Sequence, residues 1–255
     1  NAKYTKGALN NPPNDASAVA RTLRSIGFVV TRKNDLTRRQ TRAAVNGFVK
    51  ALGPSDLALV FYAGHAVELK GKNYLLPVNF AAQNEDDAVD DAYALDTLMS
   101  RLSRGRSGVN VVILDACRDD PFTRSWSRSA SSRGLREVDQ PAAQSYLAFS
   151  TAPGFTAADG RSNNSPYTTA LIAQLTRPGV EIDLMFRNVR AHVRRLTANK
   201  QDPWSRNNLL GAVYLVPGAA PAAVAVATTA PSTPVATPSP PSGVGRFGVE
   251  FLYSK

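Results

Sequence analysis

Apolar and polar positions along the chain fall into two alternating patterns. Short blocks of consecutive apolar, mostly β-branched or aromatic residues stand at 28–31, 56–65, 111–114, 145–151 and 211–216. Runs of this kind read as strands buried on both faces. Between them, apolar residues recur at helical spacing. Ala16, Val19, Ala20, Leu23 and Ile26 predict a helix over 16–26, and Ala44, Val45, Phe48 and Leu52 one over 38–52. Leu95, Leu98, Met99 and Leu102 predict a helix over 92–104, and two more are expected at 166–175 and 183–197. The punctuation agrees. Asn14 or Asp15 and Thr37 are cap residues, Pro166 suits a first turn, and Gly27 and the Gly53-Pro54 pair stop helices. Residues 1–13, 84–91 and 123–144 read as loops, the second strongly acidic, and 68–78 as a hairpin turning at Lys70-Gly71-Lys72-Asn73. Helices alternating with apolar strands imply an α/β fold, with a mainly parallel sheet covered on both faces.

Composition narrows the organisation. The chain has 255 residues, 43% of them hydrophobic, enough for one large core with a tail. No apolar run is long enough to span a bilayer. From about Ala219 to Gly245 it is uncharged Ala, Pro, Thr, Ser, Val and Gly, which reads as a linker or tail. Strand character returns at 247–253. The expected division is therefore a globular domain at 1–217, a linker at 218–245 and a strand-like segment at 246–255. Residues 1–10 are polar and carry no signal-peptide core. The abrupt start is consistent with an upstream segment removed from a soluble chain, either cytoplasmic or exported. The formal charge of +10 would suit acidic partners. Zinc-finger spacing, glycine-rich phosphate loops and aromatic-rich basic strands are all missing, so the charge is read as solvated surface and not as a nucleic-acid site.

One cysteine excludes an internal disulfide and draws attention to its place. Val111-Val112-Ile113-Leu114 runs into Asp115-Ala116-Cys117-Arg118, so the thiol stands where a buried strand meets the rim of the sheet. Phe61-Tyr62-Ala63-Gly64-His65 does the same one strand earlier. In open α/β sheets the carboxyl ends of the strands are where ligands bind. Cys117 is thus a candidate nucleophile. His65 is a candidate acid/base that would take the thiol proton and return it to a leaving group. The backbone amides of Gly64 and Cys117 are candidate oxyanion donors. Taken singly, a lone cysteine also reads as a small buried hydrophobe and a lone histidine as structural; the pairing of the two strand ends favours chemistry.

Tyr62-Ala63-Gly64-His65 and Asp115-Ala116-Cys117-Arg118 resemble the paired motifs of caspase-like cysteine peptidases, of the metacaspase or bacterial orthocaspase branch. Their separation matches the interval of about fifty residues between histidine and cysteine in caspases. The resemblance continues through Asn11-Pro12-Pro13-Asn14-Asp15-Ala16, Gly71 to Val78, Ser150 to Gly154 and Gln201-Asp202-Pro203-Trp204, over roughly residues 1–216. It implies the caspase–haemoglobinase fold, a three-layer α/β/α sandwich around a six-stranded, mainly parallel sheet. It also implies a Cys–His dyad that hydrolyses peptide bonds through a thioester. In metacaspase-like members the pocket before the cut bond is acidic and accepts Arg or Lys. The positions matching by motif are Asp115 and Asp15, and a carboxylate pair suits a guanidinium.

The match has departures. Ala66 replaces the glycine usual after the histidine, and Ala63 a serine that some members use to line the pocket. The family's opening apolar strand has no counterpart in residues 1–10, which leaves truncation, processing or replacement by 248–253. If basic residues are cut, Arg124, Arg128, Arg133 and Arg136 in the 123–144 loop are candidate self-cleavage sites; otherwise they form a solvated basic loop. No cofactor is required by a Cys–His dyad. The acidic residues at 85–91 could attract calcium, but they lack the alternating ligands of a dedicated loop. The expected activity is a cysteine endopeptidase acting on proteins or peptides after Arg or Lys. The alternative is a catalytically silent caspase-like module used for binding or signalling.

Overall fold

The computed structural model describes residues 9, 11–117, 135, 144–152, 157, 160, 162–218 and 247–253, with 117 and 247–253 in backbone only. The described elements follow the order α1 (Pro12–Ser25), β1 (Phe28–Asn34), α2 (Arg38–Ala51), β2 (Leu57–Leu69), β3 (Lys72–Leu75), α3 (Glu85–Asp91), β4 (Tyr93–Ala94), α4 (Leu95–Ser103), β5 (Val109–Cys117), β6 (Ser145–Phe149), α5 (Pro166–Leu175), α6 (Ile182–Leu196), β7 (Trp204–Asn207) and β8 (Phe247–Tyr253). The main sheet has the order β1-β8-β2-β5-β6-β7. Its first five strands are parallel, and β7 runs antiparallel to β6 at the edge. β8 lies between β1 and β2, parallel to both. The sheet is helix-flanked, as the sequence pattern implies, and six-stranded, as the caspase-like resemblance implies. No helix among the described residues is long and apolar enough to cross a membrane.

Strand alternation sorts the core into two layers. Leu57, Leu59, Phe61 and Ala63 of β2 and Val111 and Ile113 of β5 face a cluster built with α1, α5 and α6. Ala58, Val60 and Tyr62, with Val112, Leu114 and Ala116, face α2 and α4. Side chains of a strand alternate between faces, so both sides must be apolar in a covered sheet. Leu59, Phe61, Val111 and Ile113 are fully buried, each worth about 1.5–3 kcal/mol relative to exposure.

Several boundaries differ from the sequence expectation, each for a physical reason. α1 begins at Pro12, because two prolines fit its first positions, and Asp15 lies inside the helix and not at its cap. The acidic stretch after Asn84 is the helix α3 and not a loop. Asn84 accepts from the Asp87 amide, and three acids occupy its first turn, where the helix dipole favours them. β2 does not stop at His65. It runs on to Leu69 and leaves the main sheet to pair with β3 in a second ladder. Cys117 is the last residue of β5 and not a residue past its end. Residues 211–216 form no strand; they carry one isolated bridge, Glu181 to Tyr214, while the partly polar 204–207 segment makes the edge strand β7.

Candidate active site

β2 and β5 share nine parallel register partners, from Leu57 with Val109 to His65 with Cys117. Adjacent strands lie about 5 Å apart, so the backbones at 65 and 117 are immediate neighbours. One step earlier, Gly64 pairs with Ala116 and Ala63 with Asp115. His65 is 1% exposed. Its carbonyl accepts from the Tyr62 hydroxyl at 2.5 Å and from the Leu76 amide at 3.0 Å. These two bonds hold the chain where β2 turns from the main sheet into the β3 ladder. They fix the backbone that carries the imidazole.

Alternation places Asp115 on the face of Val111 and Ile113, toward α5. Its Oδ2 accepts from the Ser165 hydroxyl at 2.5 Å and from the Thr168 hydroxyl at 2.8 Å. Asp15, on α1, reaches the same helix end: its Oδ1 accepts from the Asn164 side-chain amide at 2.8 Å and from the Ser165 backbone N–H at 3.0 Å. Ser165 caps α5 by accepting from the Thr168 amide at 2.9 Å. A single residue therefore joins two buried carboxylates, and both sit at a helix N-terminus, where negative charge is favoured. The Tyr167 hydroxyl is buried and has no hydrogen-bond partner among the described residues. Burial, then the negative charge of Asp115, pushes its phenol well above the ordinary pKa. It stays a neutral wall of this layer.

The structure thus brings His65 and Cys117 together in register and links Asp115 to Asp15 through Ser165. It places Gly64 one residue from that pair. The arginines at 124, 128, 133 and 136 lie outside the described residues. Among the described residues no group of three or more His, Cys, Asp or Glu could hold a metal ion. Within α3, Asp86 pairs instead with Lys70.

A caspase domain model matches residues 1–214. The chain belongs to the caspase domain family. This caspase domain is also 30% identical over 110 residues to the human (Homo sapiens) mucosa-associated lymphoid tissue lymphoma translocation protein 1, and 29% to its mouse (Mus musculus) homolog. Each alignment covers 43% of this chain and 13% of the relative. The chain therefore spans a small part of the length of the curated relatives it matches. The family is one of cysteine peptidases, and the sheet order, with its buried parallel centre, agrees with that membership.

Three residues of the candidate site go unmarked in the sequence: Ser165, Thr168 and Asn164 lie in a stretch recognisable only as a helix start, while Tyr62 stands in the histidine motif with no sign of its hydroxyl's bond to His65. The Asn-Ser-Pro sequence signals the α5 cap, but nothing local says that the cap residue also holds two acids from distant parts of the chain.

Proposed function

We propose that this caspase domain is a cysteine endopeptidase of the metacaspase-like, basic-specific kind, cutting after Arg or Lys. The observation that supports it most directly is the register pairing of His65 with Cys117 at the end of the parallel ladder. His65 takes the Cys117 Sγ proton, and the thiolate attacks the carbonyl carbon of the scissile bond. The backbone amides of Gly64 and Cys117 receive the developing oxyanion. The C–N bond breaks as His65 gives its proton to the leaving amine, and a thioester remains. Water, deprotonated by His65, attacks that thioester. The C–S bond then breaks, the acid product leaves, and the proton returns to the thiolate. Every proton in this cycle moves through His65, so the chemistry needs no cofactor. Asp115 and Asp15 would receive the basic side chain before the cut bond, since paired carboxylates satisfy a guanidinium on both edges. Substrates are then proteins or peptides with exposed Arg or Lys, the arginines of 123–144 included.

Fluorogenic peptides with Arg, Lys or Asp before the dye test the reading on wild type and Cys117→Ala. Turnover of the Arg and Lys peptides, lost in the variant, is expected. Turnover that survives in Cys117→Ala overturns the nucleophile, preference for Asp overturns the pocket, and absence of turnover in wild type favours a silent module. Adding calcium to the wild-type assay should leave the rate unchanged.

A further inference from the structure

The opposite face of the sheet carries a trough unrelated to the dyad. Two adjoining cavities, of about 770 and 610 Å³, lie along α2 and α4 and share Thr97 and Arg101. The cations on their walls are Arg38, Arg39, Arg42, Lys50, Arg101 and Arg104, against the carboxylates of Asp90 and Asp96. Among the described residues none of these six cations makes an ion pair, whereas Lys70 pairs with Asp86, and Arg190 and Arg194 pair with Asp202. Two of the guanidiniums are held by the framework. Arg38 Nε donates to the Ala92 carbonyl at 3.0 Å, and Arg101 Nη1 donates to Asn46 Oδ1. A guanidinium carries five donors and is always charged, so both keep donors beyond these single bonds.

We propose that this trough binds an acidic peptide segment. Its shape favours a chain over a compact anion. From Arg38 to Lys50, α2 covers about 18 Å at 1.5 Å per residue. An extended peptide would span that length with five or six residues at about 3.3 Å each. The cations are spaced along both cavities, which suits the repeated carboxylates of an acidic chain. Its place on the α2/α4 layer separates it from Asp15 and Asp115, which face α1 and α5. The binding segment would be a part of a partner or substrate distinct from the residues at the dyad.

The probe is a fluorescein-labelled hexaglutamate peptide, with neutral Gly-Ser and thymidine hexanucleotide probes of equal length beside it. Anisotropy is read with the full chain at two salt concentrations. Arg39→Glu/Arg42→Glu reverses two exposed charges in the trough, and Arg187→Glu/Arg195→Glu makes the same change in net charge on α6. Circular dichroism checks that both fold. The expected result is salt-sensitive binding of hexaglutamate, weakened at least about tenfold by the trough pair and left within about twofold by the α6 pair. Arg42→Ala should give a partial loss. Equal loss in both double variants, absence of binding to wild type, or tighter binding of the hexanucleotide overturns the proposal. The readout is binding alone, so it stands or falls independently of peptidase activity.

Discussion

His65 and Cys117 are the last of nine parallel register partners that join β2 to β5. Both residues are therefore carried by the parallel β2–β5 ladder and not by free loops. Rigid elements hold a reacting pair more closely than loops do. A one-residue slip would turn Asp115 to the α2/α4 face, away from the Ser165 and Thr168 hydroxyls it accepts from. The register that pairs 65 with 117 is the same one that seats Asp115 against Ser165.

The first prediction concerns the proposed dyad. Cys117→Ala should abolish turnover of an Arg peptide. His65→Ala should lower kcat about 10²–10⁴-fold, the usual contribution of a positioned general acid/base. Circular dichroism and thermal melting should show both proteins folded. Intact mass adds a second readout. Wild-type protein that has cut itself at Arg124, Arg128, Arg133 or Arg136 will be shorter than Cys117→Ala, and identical masses would refute self-processing.

Tyr62 acts on His65 through the backbone. Its hydroxyl donates to the His65 carbonyl at 2.5 Å inside the α2/α4 layer. Tyr62→Phe keeps the ring and removes that bond, while the Leu76 amide still satisfies the carbonyl. A stability loss of about 1 kcal/mol is expected, seen as a Tm drop of about 2–4 °C. If the bond also positions the imidazole, kcat will fall while KM stays. A Tm drop with kcat unchanged would assign Tyr62 a structural role only.

Substitution of Ser165 tests whether substrate recognition separates from chemistry. Ser165→Ala removes the hydroxyl from Asp115 Oδ2 and the cap from Thr168, but leaves the backbone N–H on Asp15. The lost cap should cost about 1 kcal/mol. If Asp115 receives the basic side chain, KM for Arg and Lys peptides will rise several-fold with kcat little changed. Ser165→Thr, which keeps the hydroxyl, should restore KM. Equal falls in kcat for all peptides would place Ser165 in support of the dyad and not in the pocket.

How much of this was legible beforehand follows from how local each signal is. β5 and α5 were readable because their information is short-range: a run of β-branched residues, and a serine before a proline. β2 was cut short at Gly64-His65, since those residues break an apolar run; the strand continues because β3 and α3 bury its second half, a tertiary effect. α3 read as a loop because its sequence is nearly all acid, with Ala88 its buried residue; an asparagine cap and the helix dipole sustain it. β7 is half-exposed and partly polar, so it lacks the pattern of a buried strand. The Asp15–Ser165–Asp115 link joins residues 50 and 150 positions apart, beyond the reach of any periodicity.

A last prediction concerns stability against pH. Asp202 forms two hydrogen bonds to Arg190, at 2.7 and 2.6 Å, and lies 3.6 Å from Arg194. The hydrogen bonds from Arg190 hold its carboxyl below the usual range against the opposing effect of burial, and the charges of both arginines add to the lowering. A carboxyl whose folded pKa is depressed stabilises the fold above its unfolded value, about 3.9, and that contribution fades as pH falls through the folded value. The side chains are half to one-third exposed, so solvent screens the pair and its worth stays under about 1 kcal/mol. Arg190→Ala should therefore lower Tm by no more than a few degrees at pH 7, and the gap from wild type should close as pH drops below about 4. The fork geometry predicts that Arg190→Lys recovers only part of the difference. A Tm gap that persists unchanged at pH 3 would mean that Arg190 stabilises α6 by packing and not by its bond to Asp202.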